Sequence, residues 1–226
     1  MWYTNKEATI GDIVARMPNA MKVFSDFGID YCCGGRRLLH DVINEQDIDK
    51  EELFAKLKKV EEDQLNSYHQ PVNYIEMKPS GLAEHIEDKH HGYLRLALPE
   101  ISTLLGNVLR AHGNNHKELF EVYSLFGTLK TELEMHLLKE ELNLFPIIED
   151  KNKVDEIKRL TKEIIAEHEH AGEILSKLRN ITSDYTPPKD ACASYIKAYE
   201  MLLELENDLH HHIHLENNIL LKEYIE

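Results

Sequence analysis

Hydrophobic residues recur along this chain at steps of three and four, the spacing of one face of an α-helix. One such stripe includes two polar residues at core positions. Its members are Leu119, Val122, Phe126, Leu129, Leu133, His136, Glu140, Leu144 and Ile147. Because residues four apart share a helix face, His136 and Glu140 present an imidazole and a carboxylate to the same part of the interior. A buried carboxylate costs several kcal/mol unless a cation or strong donors meet it.

A second stripe, near the C-terminus, contains the same pair at the same spacing. Its members are Tyr195, Ala198, Leu202, Leu205, Leu209, His212, Glu216 and Ile219. A single histidine on a core face is usually a packing residue, and that reading would suffice for either stripe alone. The repetition of His-x-x-x-Glu on two predicted helices argues against coincidence and favours a shared ligand.

Two further stripes each supply a histidine without an acid. The third stripe is Ile157, Leu160, Ile164, His168, Ala171, Leu175 and Leu178, and the fourth is Leu94, Leu98, Ile101, Leu105 and Val108. The spacing of the fourth stripe leaves two choices, because Leu82 and Ile86 favour His90 whereas the later leucines favour His91. Four helices thus offer four histidines and two glutamates to one interior, which is a ligand set for two metal ions.

The positions of these histidines relative to the loops predict the fold. In an up-and-down bundle, residues equally far from a shared loop lie at the same level. His91, His136 and His168 meet this condition, and His212 meets it if residues 181–189 are extended. We therefore predict an all-α protein in which a small helical N-terminal domain precedes an up-and-down four-helix bundle.

The pattern also predicts the domain boundaries. We predict a compact helical domain over residues 1–65 and the bundle over residues 80–226. Residues 66–79, which include Pro71 and Pro79, are predicted to form a linker. So small a domain would bury little apolar area by itself. We expect it to pack on the larger domain or on a second copy of itself, in a homodimer.

Adjacent cysteines mark the middle of the N-terminal domain, in Asp30-Tyr31-Cys32-Cys33-Gly34-Gly35. We expect Cys32 and Cys33 to lie near the N-terminus of a short helix, where Arg36 and Arg37 would lower the thiol pKa and enrich the reactive thiolate. On this basis both are candidate catalytic residues. The alternative is that they are small buried residues in a tight turn. We read Cys192, just inside the last predicted helix, as a small buried residue rather than as a thiol activated by the helix N-terminus.

Composition restricts the partners. A formal net charge of -15 argues against binding to nucleic acid, which would be repelled. No apolar run has transmembrane length, and the N-terminal residues do not resemble a signal peptide. Three cysteines do not form a disulfide framework. We expect a cytoplasmic protein that binds neither nucleic acid nor membranes.

The motifs also carry a family resemblance. The Cys-Cys-Gly-Gly segment is similar to the signature of the N-terminal domain of the Repair of Iron Centres (ScdA/YtfE) family. In that family the domain precedes a hemerythrin-like bundle with a non-haem di-iron centre. The resemblance continues through His136-Leu137-Leu138-Lys139-Glu140 and His212-Ile213-His214-Leu215-Glu216, in the same order. Leu221-Lys222 departs from the aromatic residue and proline that often follow the last motif, which affects helix packing rather than ligation.

The resemblance implies a set of ligands and a cofactor. His91, His136, His168 and His212 would be the nitrogen ligands of two iron ions, and Glu140 and Glu216 would bridge them together with an oxo or hydroxo group. This implication selects His91 over His90. The ligand types alone would also suit zinc or manganese.

The resemblance implies a function as well. Members repair iron–sulfur clusters damaged by nitrosative or oxidative stress, by delivering iron, by nitric oxide chemistry of a reductase type, or by both. The expected partners are damaged iron–sulfur proteins and a small diatomic ligand, with Cys32 and Cys33 relaying iron or electrons to the client. The alternative is a hemerythrin-like protein that binds or senses oxygen or nitric oxide without turnover.

Overall fold

The computed structural model describes residues 1–66 and 72–225, and across these residues the regular structure is helical. An isolated antiparallel bridge joins Thr9 to Leu38. The predicted all-α fold is confirmed. The α-helices are α1 (Ile10–Arg16), α2 (Ala20–Asp26), α3 (Leu39–Glu45), α4 (Lys50–Asn66), α5 (Pro79–Ile86), α6 (Gly92–His112), α7 (Glu118–Lys139), α8 (Val154–Ile181) and α9 (Ala193–Leu215).

Three π-helical turns adjoin these helices. They are Glu87–His91, Glu140–Leu144 and Glu216–Leu220. In each, a backbone N–H bonds to the carbonyl five residues earlier: Gly92 to Glu87, Phe145 to Glu140, and Leu221 to Glu216. A π turn inserts one extra residue into the helical register, and such turns are frequent at functional sites.

The inserted residue explains where two predicted stripes were wrong. Ile147 and Ile219, predicted to be buried, are half-exposed, and their neighbours Ile148 and Leu220 are buried instead. Ile147 and Ile148 follow the π turn Glu140–Leu144, and Ile219 and Leu220 are the last residues of the π turn Glu216–Leu220. At both places the buried face advances by one residue. The turn Glu87–His91 has the same effect between α5 and α6, which is why spacing alone could not choose between the adjacent histidines.

The chain divides into two compact units, residues 83–209 and residues 1–82 with 210–226. The first unit contains α6, α7, α8 and most of α9. Its core includes Ile101, Phe126, Leu175 and Leu202, members of the four predicted stripes. This unit contains His91, His136 and His168, three of the four histidines that are predicted to bind metal.

The second unit contains α1 to α5 and the last residues of α9. Thr9 caps α1 by accepting a hydrogen bond from the N–H of Asp12, and α2 is followed by Gly28 at a φ of 66°, where a side chain would be strained. Phe24 and Leu53 share a core with Ile213 of α9. The small N-terminal helices therefore pack on the C-terminal segment of the chain.

The predicted linker, residues 66–79, is only partly described. Asn66 is the last residue of α4, Tyr74–Glu76 forms a 3-10 turn, and Pro79 begins α5. Residues 67–71, including Pro71, lie outside the described residues. The division into domains at 65 and 80 stays a prediction.

None of the helices in residues 1–66 and 72–225 combines the length and the apolar character that a membrane crossing requires.

Candidate metal centre

Two histidines of the bundle share one carboxylate oxygen. His91 is the last residue of its π turn, His136 lies in the last turn of α7, and Glu140 opens the next π turn. The Nε2 atoms of both histidines lie 3.3 Å from Oε2 of Glu140, and all three side chains are buried. His168, in α8, brings its Nε2 to 3.3 Å from Nε2 of His136. The predicted convergence of these three histidines is therefore present.

The second His-x-x-x-Glu motif has its own close contact. His212, in the last turn of α9, places Nε2 3.0 Å from Oε1 of Glu216, which opens the third π turn. Both side chains are buried, with 1% and 0% of their surface exposed.

Two sets of four buried side chains could each hold an ion, because their ligand atoms lie within 4.8 Å of one another. One set is His91, Glu140, His212 and Glu216, and the other is His136, Glu140, His168 and Glu216. Each set combines two imidazoles with two carboxylates, and the two glutamates belong to both. The sets bring together all six residues that the sequence predicts as ligands.

The outer nitrogens of two histidines show that the donor set fits a cation. Nδ1 of His91 lies 2.7 Å from Oε1 of Glu141, and Nδ1 of His136 lies 2.9 Å from Oε2 of Glu167. A carboxylate at this position favours the ring proton on Nδ1, and in the neutral imidazole this directs the lone pair of Nε2 toward Glu140. A lone pair and a carboxylate that face each other across 3.3 Å can share a metal ion.

Cations also hold the two outer carboxylates in place. Lys139 pairs with Glu167, and Arg95 pairs with Glu141. Burial raises the pKa of Glu167, but hydrogen bonds from His136 and Lys139 outweigh it and hold this pKa at about 2. Sequence reasoning missed both glutamates as functional residues. The available signal was their position, since each is adjacent in sequence to a predicted ligand.

His90 is buried like its neighbour, but it belongs to neither set. Its Nδ1 lies 2.9 Å from Oδ1 of Asp208, which is on α9. The structure therefore groups His91 with the other candidate ligands and gives His90 a carboxylate partner elsewhere. His112 is the last residue of α6.

The structure corrects the expected thiol chemistry of the cysteine motif. The short helix α3 begins only at Leu39, and the Sγ of Cys32 donates to Oδ1 of Asp30 at 3.2 Å. The pKa of the Cys32 thiol is raised well above its usual range by its hydrogen bond to Cys33, by burial and by the charge of Asp30. Arg37, expected to stabilise a thiolate, instead pairs with Glu45.

One other sequence reading was also wrong. Cys192, expected to be small and buried, is exposed just before α9. His214 is buried, because it faces the ring of Tyr31 and the amide of Asn218. Burial lowers the pKa of His214 to about 3, so its Nδ1 is available to accept a hydrogen bond from Asn218.

Comparison with known proteins agrees with this architecture. A family model described as a hemerythrin HHE cation binding domain matches residues 82–224, and a model named ScdA_N, described as a domain of unknown function (DUF542), matches residues 6–61. A probable iron–sulfur cluster repair protein of Haemophilus influenzae is 31% identical over 211 residues, which cover 93% of this chain and 93% of that protein.

The chain belongs to the ScdA/YtfE family.

Other ScdA/YtfE members match over similar lengths. The iron–sulfur cluster repair protein YtfE of an Enterobacter species is 30% identical, with coverage of 95% of both chains. The iron–sulfur cluster repair protein ScdA of Staphylococcus haemolyticus is 27% identical, with coverage of 96% of this chain and 98% of the relative. The resemblance drawn from the motifs is thus confirmed along nearly the whole chain.

Proposed function

We propose that this protein repairs iron–sulfur clusters damaged by nitrosative or oxidative stress, using a centre of two iron ions. The observation that carries the proposal is Glu140, a fully buried carboxylate that meets two imidazoles whose outer nitrogens face other carboxylates. Such an arrangement suits a cation. The related proteins described above are named as iron–sulfur cluster repair proteins, and this supports the same function here.

The six buried residues would bind two ions. His91 and His212 would hold one ion, His136 and His168 the other, and Glu140 and Glu216 would bridge both, since they belong to both sets. Iron bound in this way supplies an exchangeable ion and a position at which a diatomic ligand such as nitric oxide can bind. Four imidazoles, two bridging carboxylates and one bridging oxo or hydroxo group would leave about one position open on each six-coordinate ion.

Two outer glutamates would orient the histidine ligands. Glu141 and Glu167 hold the ring protons of His91 and His136 on Nδ1, which orients each Nε2 toward the centre. Burial of all six ligands excludes bulk water.

In this proposal the chain is cytoplasmic and its clients are damaged iron–sulfur proteins. Residues 1–65 serve as the N-terminal domain, residues 66–79 as the linker and residues 80–226 as the metal-binding bundle.

Cys32 and Cys33 are proposed to act in the transfer of iron or electrons to the client protein. Their reduced thiols lie in one turn with the carboxylate of Asp30. Replacing both cysteines by serine should abolish or slow repair of a purified client while leaving the iron content of the bundle unchanged. Unchanged repair by this variant would remove the cysteines from the proposal.

A purified system tests the proposed function. Protein isolated without oxygen should contain about two iron ions per chain, with the Mössbauer spectrum of a coupled pair. It should restore activity to a [4Fe–4S] enzyme that has been inactivated by nitric oxide. Failure to restore activity, together with stoichiometric capture of nitric oxide in stopped-flow mixing, would reject repair and support binding or sensing without turnover.

A further inference from the structure

We propose that Asp30, Cys32 and Cys33 form a second metal site, which takes one divalent transition ion of borderline softness such as Fe²⁺ or Zn²⁺. One carboxylate oxygen and two thiol sulfurs of these residues lie within 4.8 Å of one another. Metal–sulfur bonds of about 2.3 Å and metal–oxygen bonds of about 2.1 Å place the ligands of a single ion within this separation. Thiolate with carboxylate suits iron or zinc better than the hard ions Mg²⁺ and Ca²⁺.

Hydrogen bonds already fix the turn in which the three ligands lie. Oδ1 of Asp30 accepts from the N–H groups of Cys32 and Cys33, and Oδ2 accepts from the N–H of Gly34. A Cβ at Gly34 would lie 2.9 Å from the carbonyl oxygen of Asp30, so the close turn excludes a side chain there. The carboxylate is therefore held beside the thiols before any ion arrives.

The other side of the turn is held by Asn218. Its Nδ2 donates to the carbonyls of Tyr31 and Cys32, at 3.1 Å each, and contacts Nδ1 of His214 at 3.2 Å. A Cβ at Gly35 would lie 2.3 Å from Oδ1 of Asn218, so this glycine is what allows the amide to reach the turn. Asn218 belongs to the π turn that Glu216 opens. The same short segment thus carries a proposed ligand of the buried centre and the anchor of the cysteine turn.

Exposure distinguishes this site from the buried sets. Asp30 is exposed and Cys33 is half-exposed, whereas Cys32 is buried. Three protein ligands leave one position of a tetrahedral ion open on the solvent side, where a ligand of another protein can bind. Its role as the place where iron passes to a client depends on the proposed function, but the existence of the site does not.

Binding has a definite proton balance. Each thiol loses one proton to the buffer as its sulfur bonds to the ion, so two protons are released per ion. The ion replaces the thiol proton that now lies between Sγ of Cys32 and Oδ1 of Asp30. Since the thiol form of Cys32 is favoured without metal, affinity should rise with pH.

Cobalt titration of the full chain tests the site. Protein whose buried centre is loaded with iron, kept reduced by a phosphine and free of oxygen, should develop a thiolate-to-Co²⁺ charge-transfer band that saturates at about one ion per chain. The band should disappear in C32S/C33S and weaken in D30N. It should persist in C192S, the matched control for loss of a thiol. A wild-type protein without the band, or a band unchanged in C32S/C33S, would overturn the proposal.

A second measurement needs no substitution in the turn. Zn²⁺ at ten times its dissociation constant should slow alkylation of Cys32 and Cys33 about tenfold, as read by mass spectrometry, and leave the exposed Cys192 unaffected. Equal alkylation rates with and without zinc would contradict the site. Metal binding at the cysteines without repair would reject the proposed function but not the site, whereas repair without metal binding would reject the site alone.

Discussion

At the scale of single residues, Glu140 is the side chain whose environment is hardest to explain without a cation. It has no exposed surface, and the Nε2 atoms of two imidazoles lie 3.3 Å from its Oε2. Taking a carboxylate out of water is costly, and a metal ion shared with the two imidazoles offsets that cost. The contribution of Glu140 should therefore depend on whether metal is bound.

We predict that Glu140→Ala destabilises the metal-loaded form much more than the metal-free form. The loaded protein should lose most of its iron and melt at a lower temperature, because a bridging ligand is gone. The metal-free protein should lose less stability, because no metal–ligand bond is broken there. Iron analysis and thermal melts of both forms provide the check, and equal destabilisation in both would contradict a role in binding a cation.

The outer carboxylates should act through the histidines that they orient. Glu167→Gln removes the charge that holds the proton of His136 on Nδ1, and such substitutions reduce metal affinity about 10- to 100-fold. Glu163→Gln is the matched control, since Glu163 also pairs with Lys139 but faces no ligand. Competition with a coloured chelator measures both affinities, and equal losses in the two variants would assign Glu167 a role in surface charge alone.

His116 provides a pH-dependent contact away from the ligands. Hydrogen bonding to Asp190, and then to Glu118, raises the pKa of His116 above its usual value. A raised pKa in the folded state stabilises the protein below the unfolded pKa of about 6.5, and this stabilisation is lost as pH rises through the folded pKa. The contact should therefore matter at acid pH and disappear at alkaline pH.

Asp190→Asn should accordingly lower the melting temperature near pH 6 and leave it unchanged near pH 9, where His116 is neutral in both states. Asp63→Asn, at an exposed position of α4, makes the same change in net charge and serves as the control. Melting curves across this pH range give the comparison. A difference that persisted undiminished at pH 9 would show that the contact does not depend on protonated His116.

At the scale of helices, the sequence predicted which faces are buried but not where the register shifts. The stripe of α8 is buried at every predicted position, because that helix contains no π turn. After Glu140 and Glu216 the predicted faces are displaced by one residue, since hydrophobic spacing does not reveal a single inserted residue. Five of the six candidate ligands lie within α7, α8 or α9 or open a π turn, so the shift does not affect them. His91 ends its π turn, and a family motif was needed to resolve it from His90.

Contacts that helical periodicity does not describe account for what the sequence did not predict. The burial of His214 depends on Tyr31 and Asn218, and the raised pKa of the Cys32 thiol depends on Asp30 and Cys33 in a turn of unexpected shape. Helical periodicity describes one element at a time, so it could not place these partners.

Gly35→Ala tests the contact between the cysteine turn and the third π turn. The added Cβ would lie 2.3 Å from Oδ1 of Asn218, so we expect destabilisation of about 1 to 3 kcal/mol. Replacing Asn218 by alanine in the same chain should recover part of that loss. Gly127→Ala is the control, because no atom lies within 4 Å of the added Cβ and alanine favours α7 by up to about 1 kcal/mol. Strictly additive denaturation free energies would show that the two positions are independent.

At the scale of the whole molecule, the ends of the chain belong to one compact unit. Residues 1–82 and 210–226 are grouped together, and Ile213 lies in the core that α1 to α4 form. Lys222 also pairs with Asp12 at 2.7 Å. The segment that supplies His212 and Glu216 therefore depends on the N-terminal helices for part of its packing.

Deleting residues 1–66 should consequently loosen that segment. The truncated chain would expose Ile213, His214 and Asn218, which are buried in the full chain, and we expect it to lose iron to a chelator at least about tenfold faster. Adding the separately expressed fragment 1–66 should slow the loss again if the fragment binds the exposed face. If the full and truncated chains released iron at the same rate and had matching circular dichroism spectra, His212 and Glu216 would be held by the bundle alone. A domain boundary at residue 80 would require that result.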